Sequence, residues 1–196
     1  MTLVFSIGHS NHDWVTFKRL LEMANIGAVA DVRSSPASRL PHFNRTALKD
    51  RLNTTGIAYV FLGGELGGRP KDGSIPDYEV MAASPLFAEG IAHVEEIAPR
   101  TRLALMCSEH EPLTCHRCLL VGRHLVERGV AVAHILRDGT IEPNEDTENR
   151  LLALTRQTES DLFTSRVDRL AAAYRAQGLK IAGPRRPFQP PSLPSS

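Results

Sequence analysis

Leu3-Val4-Phe5-Ser6-Ile7 is a short apolar run that stops at Gly8-His9-Ser10-Asn11, and this juncture decides the fold. An apolar run closed by a glycine-led polar cluster reads as a buried strand entering a turn. Asp13 then stands where an N-cap belongs, and Trp14, Phe17, Leu20, Leu21 and Ala24 recur at helical spacing. Gly27 is expected to end that helix as a C′ glycine. Ala28 to Val32 follows as a second continuous apolar run. Strand, helix and strand in this order make a βαβ unit, whose strands are parallel.

The same alternation continues along the chain. Arg33 to Phe43 is loop, broken by Pro36 and Pro41, and Asn44 is expected to cap a helix that runs through Thr55 and closes at Gly56. Ala58 to Leu62, Arg102 to Cys107 and Val130 to Leu136 read as three more strands. Helical patterns fall over 77–83 and 85–98, from Thr114 or Cys115 to Gly129, over 144–155, and over 159–177 with Gly178 as the stop. Doubly buried strands read as unbroken apolar runs, as these do. The expected fold is therefore α/β, with a mainly parallel central sheet of about five strands and helices on both faces. Residues 1–140 form this domain, 141–178 a C-terminal helical extension, and 179–196 a Pro/Arg-rich tail expected to be disordered.

Composition bounds the function. The 196 residues are 42% hydrophobic and 23% charged, which excludes a disordered chain, a collagen-like fibre and a coiled coil. The formal charge of +1 gives no overall field to draw nucleic acid or an anionic membrane. That neutrality is an average. Residues 1–140 hold 15 bases and 15 acids, 141–149 hold four acids and no base, and 150–196 hold eight bases and three acids. Three cysteines are too few, and odd in number, for a secreted disulfide framework. With no signal-peptide pattern at the N-terminus and no apolar run of membrane-spanning length, a cytoplasmic protein with reduced thiols is expected.

In open α/β sheets, ligands bind at the carboxyl ends of the strands, and the reactive side chains of this chain collect there. The first strand ends at His9, Ser10 and Asn11; the second carries Asp31 and ends at Arg33, with Ser38 and Arg39 in the loop beyond. The third opens into Gly63-Gly64-Glu65-Leu66-Gly67-Gly68-Arg69, which is neither a dinucleotide fingerprint nor a P-loop. Gly67 and Gly68 would let backbone approach a ligand, Glu65 lies between, and Arg69 would clamp an anion. Arg33, Arg39 and Arg117 are further anion partners, and Phe43 could stack on a base.

The densest chemistry is Cys107-Ser108-Glu109-His110-Glu111-Pro112-Leu113-Thr114-Cys115-His116-Arg117-Cys118. It supports three readings. Cys107 or Cys115 is a nucleophile, with a thiolate at Cys115 favoured by a helix start and Arg117 and opposed by Glu109 and Glu111. Alternatively, Cys107, Cys115, His116 and His9 hold a transition metal. In the third, the thiols are packing residues; Cys118, followed by Leu119 and Leu120, fits this best. His134, inside an apolar strand, reads as a satisfied core histidine, and His93 and His124 as surface or packing residues.

Ser6-Ile7-Gly8-His9-Ser10, Asp31-Val32-Arg33-Ser34-Ser35-Pro36, Ser38-Arg39, Leu66-Gly67-Gly68-Arg69, Leu105-Met106-Cys107, Cys115-His116-Arg117 and His134-Ile135 together resemble the DUF488 family over about residues 3 to 139. The resemblance implies a compact α/β fold with a shared polar site, and an association with DNA-repair contexts; Cys118 lies outside the family motif. Three functions follow as expectations. The first is an enzyme acting on a nucleotide, nucleic acid or other anionic ligand, with Cys107 or Cys115 as reactive thiol and His9, Asp31, Glu109 or His116 handling protons. The second is a Cys/His metal protein. The third is a nucleic-acid-binding module that uses the basic region after residue 150 and the tail. Membrane partners are not expected, and oligomeric state is open.

Overall fold

Strand β1 (Leu3–Gly8) lies inside a six-stranded sheet, flanked on both sides by parallel neighbours. The computed structural model describes residues 2–158 and 164–183. After β1 come α1 (Trp14–Met23), β2 (Ala28–Asp31), a 3₁₀ turn at Pro41–Phe43, α2 (Arg45–Thr54) and β3 (Ala58–Phe61). The chain continues through α3 (Tyr78–Ala82), α4 (Pro85–Ile97) and β4 (Leu103–Cys107). A second 3₁₀ turn, Pro112–Thr114, precedes a π-helical segment, Arg117–Gly122, that runs into α5 (Arg123–Glu127). Then follow β5 (Ala131–Ile135), β6 (Ile141–Pro143), α6 (Asn144–Leu154) and α7 (Arg166–Ala182). The sheet order is β3-β2-β4-β1-β5-β6, with β6 alone antiparallel.

Side-chain alternation along each strand divides the core in two. Phe5, Ile7, Val29, Ala104 and Met106 face α1 and α2, meeting Phe17, Leu20, Leu21, Leu48 and Leu52. Val4, Ala28, Ala30, Leu103, Leu105 and Cys107 face the other side, meeting Phe87, Ile91, Val94 and Leu125. β1 and β2 therefore send the chain to one face, and β3 and β4 send it to the other. β4 stands between β2 and β1, so the exit of β4 is flanked on both sides by strands whose connections leave in the opposite direction. Such switch points open a crevice outside the strand ends. Cys107 ends β4 at this place, between His9 and the Asp31–Arg33 segment.

Several expectations change in detail. Asp13 caps α1 through Thr16 N at 2.7 Å, as its position predicts. Gly27 does not terminate α1; Asn25 takes the left-handed conformation at φ 51°, and Gly27 instead leaves room for Thr101. Asn44 precedes α2 but its Oδ1 accepts from Ser38 N at 2.7 Å rather than capping the helix. Gly178 does not stop α7, which runs to Ala182; a Cβ there would sit 3.3 Å from the Tyr78 ring, so glycine serves close packing. β6 is an addition: three residues with a terminal proline, acceptable only at a sheet edge. α6 and α7 pack Leu151, Leu152, Ala173 and Tyr174 over Leu113, Cys118 and Leu119. The expected tail lies, from residue 184 onward, outside the described residues.

Candidate thiol site at the strand C-termini

Cys107, Cys115 and His116 converge: two sulfurs and a ring nitrogen lie within 4.8 Å of one another. His116 Nδ1 is 3.8 Å from both Sγ atoms. On the far side of the ring Nε2 lies 2.8 Å from the carbonyl oxygen of Val32. A carbonyl only accepts, so Nε2 carries a hydrogen, and Nδ1 is the ring atom turned to the two sulfurs. Gly68 makes this placement feasible, since a Cβ at that position would come within 2.4 Å of the His116 ring. The glycine loop thus approaches the site's own histidine. Gly67 likewise packs against Ser34 and Gly63, and Ser34 Oγ accepts from Arg69 N at 2.9 Å.

Cys115 adopts an extended conformation and its carbonyl accepts from Cys118 N and Leu119 N, which places it at the head of the following helix. Next to it Arg117 is wholly buried. Its Nε donates to Ser6 Oγ (3.2 Å), Nη1 to Glu109 O (2.5 Å) and Nη2 to His110 O (2.9 Å). Arg117 therefore faces inward and ties down the loop between the two cysteines; it does not reach out as an anion clamp. Glu109 shares in this through its carbonyl, while its side chain is on the exposed loop.

The two thiols are driven apart in acidity. Burial opposes ionisation of Cys115, but the neighbouring Cys107 thiol, the Arg117 charge and His116 outweigh it and hold Cys115 well below the usual thiol range. Cys107 is raised by its hydrogen bond to Cys115 and by burial. Cys115 is thus the more acidic of the two, and it lies beside a buried cation whose donors go to a hydroxyl and two carbonyls. Cys118 is separate: burial pushes it up to about 12, and it packs beneath α6 and α7.

A polar chain runs from this centre to the C-terminal helices. Ser6 Oγ lies 2.7 Å from His134 Nδ1, and His134 Nε2 lies 3.1 Å from Asn144 Oδ1. Asn144 Nδ2 donates to Glu148 Oε1 at 2.9 Å, which fixes the amide orientation and so puts the His134 hydrogen on Nε2. Tyr174 OH also donates to Glu148 Oε1, at 3.2 Å. His134 is a satisfied core histidine, and burial lowers it to about 4. Ser6, Asn144 and Tyr174 were not expected in the site, because each joins it only through hydrogen bonds made in the folded chain.

Beside the thiols lies a second buried cluster. Asp31 accepts from Arg33 Nε at 2.8 Å and Arg33 Nη2 at 2.6 Å, and from Tyr59 OH at 2.9 Å. Both charged groups are buried, so they fix each other rather than meeting solvent. Arg33 Nη1 is 3.3 Å from His9 Nε2, and His9 Nδ1 lies 2.9 Å from Ser10 O, so His9 accepts at Nε2. Burial and then Arg33 lower His9 to about 4. His9 is consequently a neutral neighbour of the ion pair and is not among the three clustered donors. Phe43 is fully buried, stacked on His9 at 4.2 Å between ring centroids, so it is not open to a base. Ser38 orders its own loop by accepting from Leu40 N.

Arg39 and Arg69 are exposed, as is Asn11, whose Oδ1 accepts from Ser10 Oγ and Arg137 Nη2. Beside Arg137 is an open depression of about 500 Å³, lined by His110, Glu111, Leu136, Arg137 and Asp138. Glu65 Oε2 is buried without a hydrogen-bond partner among the described residues. The basic region after residue 150 is partly neutralised: Arg150 pairs with Glu142 (2.8 Å) and Glu111 (3.0 Å), and Arg166 with Glu148 (3.6 Å). No described helix is long and apolar enough to cross a membrane.

A family model described as a domain of unknown function, DUF488, matches residues 13–123, more than half the chain. That span includes both clustered cysteines and the glycine loop; Gly8-His9-Ser10 and His134 fall outside it. No curated protein and no solved structure matches the chain.

Proposed function

The chain belongs to the DUF488 family, and from its site we infer a cysteine-centred enzyme that acts on an anionic ligand such as a nucleotide or other phosphorylated molecule. One observation carries the reading. Two thiols of opposite acidity flank Nδ1 of a histidine whose other nitrogen is pinned by a backbone carbonyl, beside a buried arginine with no carboxylate on its donors among the described residues. Cys115 is the nucleophile, Cys107 and His116 exchange its proton, and Arg117 holds the loop and favours the thiolate. The exposed guanidinium groups of Arg39 and Arg69 supply attraction for an anion. The test is native alkylation with iodoacetamide followed by peptide mapping. Cys115 should label first near neutral pH, Cys115→Ser should abolish that labelling, and a nucleoside monophosphate should slow it. A native chain whose Cys115 stays unlabelled refutes the nucleophile.

A metal reading has one observation in its favour, the three clustered donors with His116 oriented from behind by Val32 O, as ligating histidines are. Charge speaks against it. Two thiolates and a divalent cation sum to zero and leave buried Arg117 uncompensated, whereas one thiolate neutralises it. Elemental analysis of untagged protein separates the two: stoichiometric metal that resists dialysis selects the second.

A further inference from the structure

We propose that Cys107 and Cys115 form a reversible dithiol–disulfide couple, a modification site at which a small hydroperoxide switches the nucleophile off. The proposal rests on Cys115 being the reactive thiol and adds an oxidised state to that site. The argument is one of placement. The two sulfurs lie within 4.8 Å, while a disulfide requires about 2.05 Å, so side-chain rotation must close the gap. Cys107 ends a strand, and Cys115 sits in an extended residue between a 3₁₀ turn and a helix, so neither sulfur is held inside a helical turn. The loop that joins them is held from within by Arg117 on Glu109 O and His110 O, which keeps the two cysteines facing each other. Cys118 cannot substitute, because it lies across the helix in the cluster under α6 and α7.

The chemistry balances with one named oxidant. The Cys115 thiolate attacks a hydroperoxide oxygen; the S–O bond forms, the O–O bond breaks, and the alkoxide or hydroxide takes a proton and leaves as alcohol or water. Cys107, giving its proton to His116 Nδ1, then attacks the Cys115 sulfur; the S–S bond forms and the S–O bond breaks. The departing hydroxide takes the proton from His116 and leaves as water. Two thiols are oxidised by two electrons, and one peroxide is reduced to an alcohol (or water) and water. Cys115 and Cys107 are only 2% and 6% exposed, which selects a small oxidant over a bulky disulfide.

The experiment treats the full chain with hydrogen peroxide, then counts thiols after denaturation and maps peptides. The expected result is a loss of two of the three thiols, a mass decrease of about 2 Da, and a linked peptide pair joining Cys107 to Cys115, all reversed by dithiothreitol. Cys118→Ala should behave as the parent does. Cys107→Ser should stop at a sulfenic acid on Cys115 that dimedone traps. If peroxide leaves all three thiols free while iodoacetamide still labels Cys115, the couple is refuted and the nucleophile stands. If Cys115 neither oxidises nor alkylates, both fall. A linkage through Cys118 or between two chains also refutes the couple.

Discussion

His116 donates Nε2–H to the carbonyl oxygen of Val32 at 2.8 Å, and through that bond the end of β2 sets the protonation of a ring whose other nitrogen serves two thiols. Replacing His116 with Gln removes the nitrogen between the sulfurs. The Cys115 thiol should then titrate at higher pH, so the midpoint of its alkylation rate against pH should move upward. Rate against pH for the parent and His116→Gln measures it. Superimposable curves would show that His116 takes no part in activating Cys115.

Arg117 is a structural cation before it is a catalytic one. Its donors satisfy Ser6 Oγ and the carbonyls of Glu109 and His110, and the whole side chain is out of water. Arg117→Met leaves those acceptors without a partner and should cost about 3 kcal/mol or more in denaturant unfolding. Arg117→Lys keeps the charge but not the forked geometry and should recover only part of that loss. A cost of Arg117→Met below about 1 kcal/mol would mean that water replaces the guanidinium, and the loop would not be held as described.

The five parallel strands were legible because doubly buried strands leave apolar runs that polar loops interrupt, as at Leu3–Ile7 and Arg102–Cys107. β6 was not, since three residues ending in Pro143 carry no periodicity. Cys107, Cys115 and His116 could be picked out as a motif, but their exclusion of His9 could not. His9 is drawn to Arg33 across the β1–β2 interval, a relationship set by strand order. Phe43 and Arg117 show a second limit. An aromatic in a polar loop and an arginine in a cysteine motif look available for ligands, yet both are fully buried, because the loops around them fold inward. Tyr59 and Ser6 acquire roles only through Asp31 and Arg117, far away in sequence.

Gly68 and Gly64 belong to the same loop and should respond oppositely to an added methyl group. At Gly68 a Cβ would lie 2.4 Å from the His116 ring, whereas at Gly64 nothing lies within 4 Å. Gly68→Ala must displace His116 or the loop backbone, with an expected cost of roughly 1–3 kcal/mol and a slower alkylation of Cys115. Gly64→Ala should be close to neutral in both measurements. Equal effects of the two substitutions would contradict the close approach of the loop to His116.

His134 ties stability to pH. Its ordinary value is 6.5, and burial, opposed by the Asn144 hydrogen bond and reinforced by Arg117, lowers it to about 4 in the fold. Between these two values the unfolded chain holds a proton that the folded chain does not, so the unfolded state binds more protons and stability increases with pH. The contribution is complete above about pH 6.5 and is lost as pH falls toward 4. Glu142 and Arg150 also act on His134, with opposite signs, and leave that direction unchanged. His9, lowered to about 4 in the same sense, adds a parallel dependence. His134→Gln should be less stable than the parent at pH 7, because Gln cannot bridge Ser6 and Asn144 as the ring does. The gap between the two proteins should shrink by roughly 3 kcal/mol between pH 6.5 and 4, as the parent alone takes on the cost of charging the buried imidazole. Urea unfolding at pH 7, 5.5 and 4 measures that gap, and a constant difference would show that His134 binds its proton as readily in the fold as in the unfolded chain.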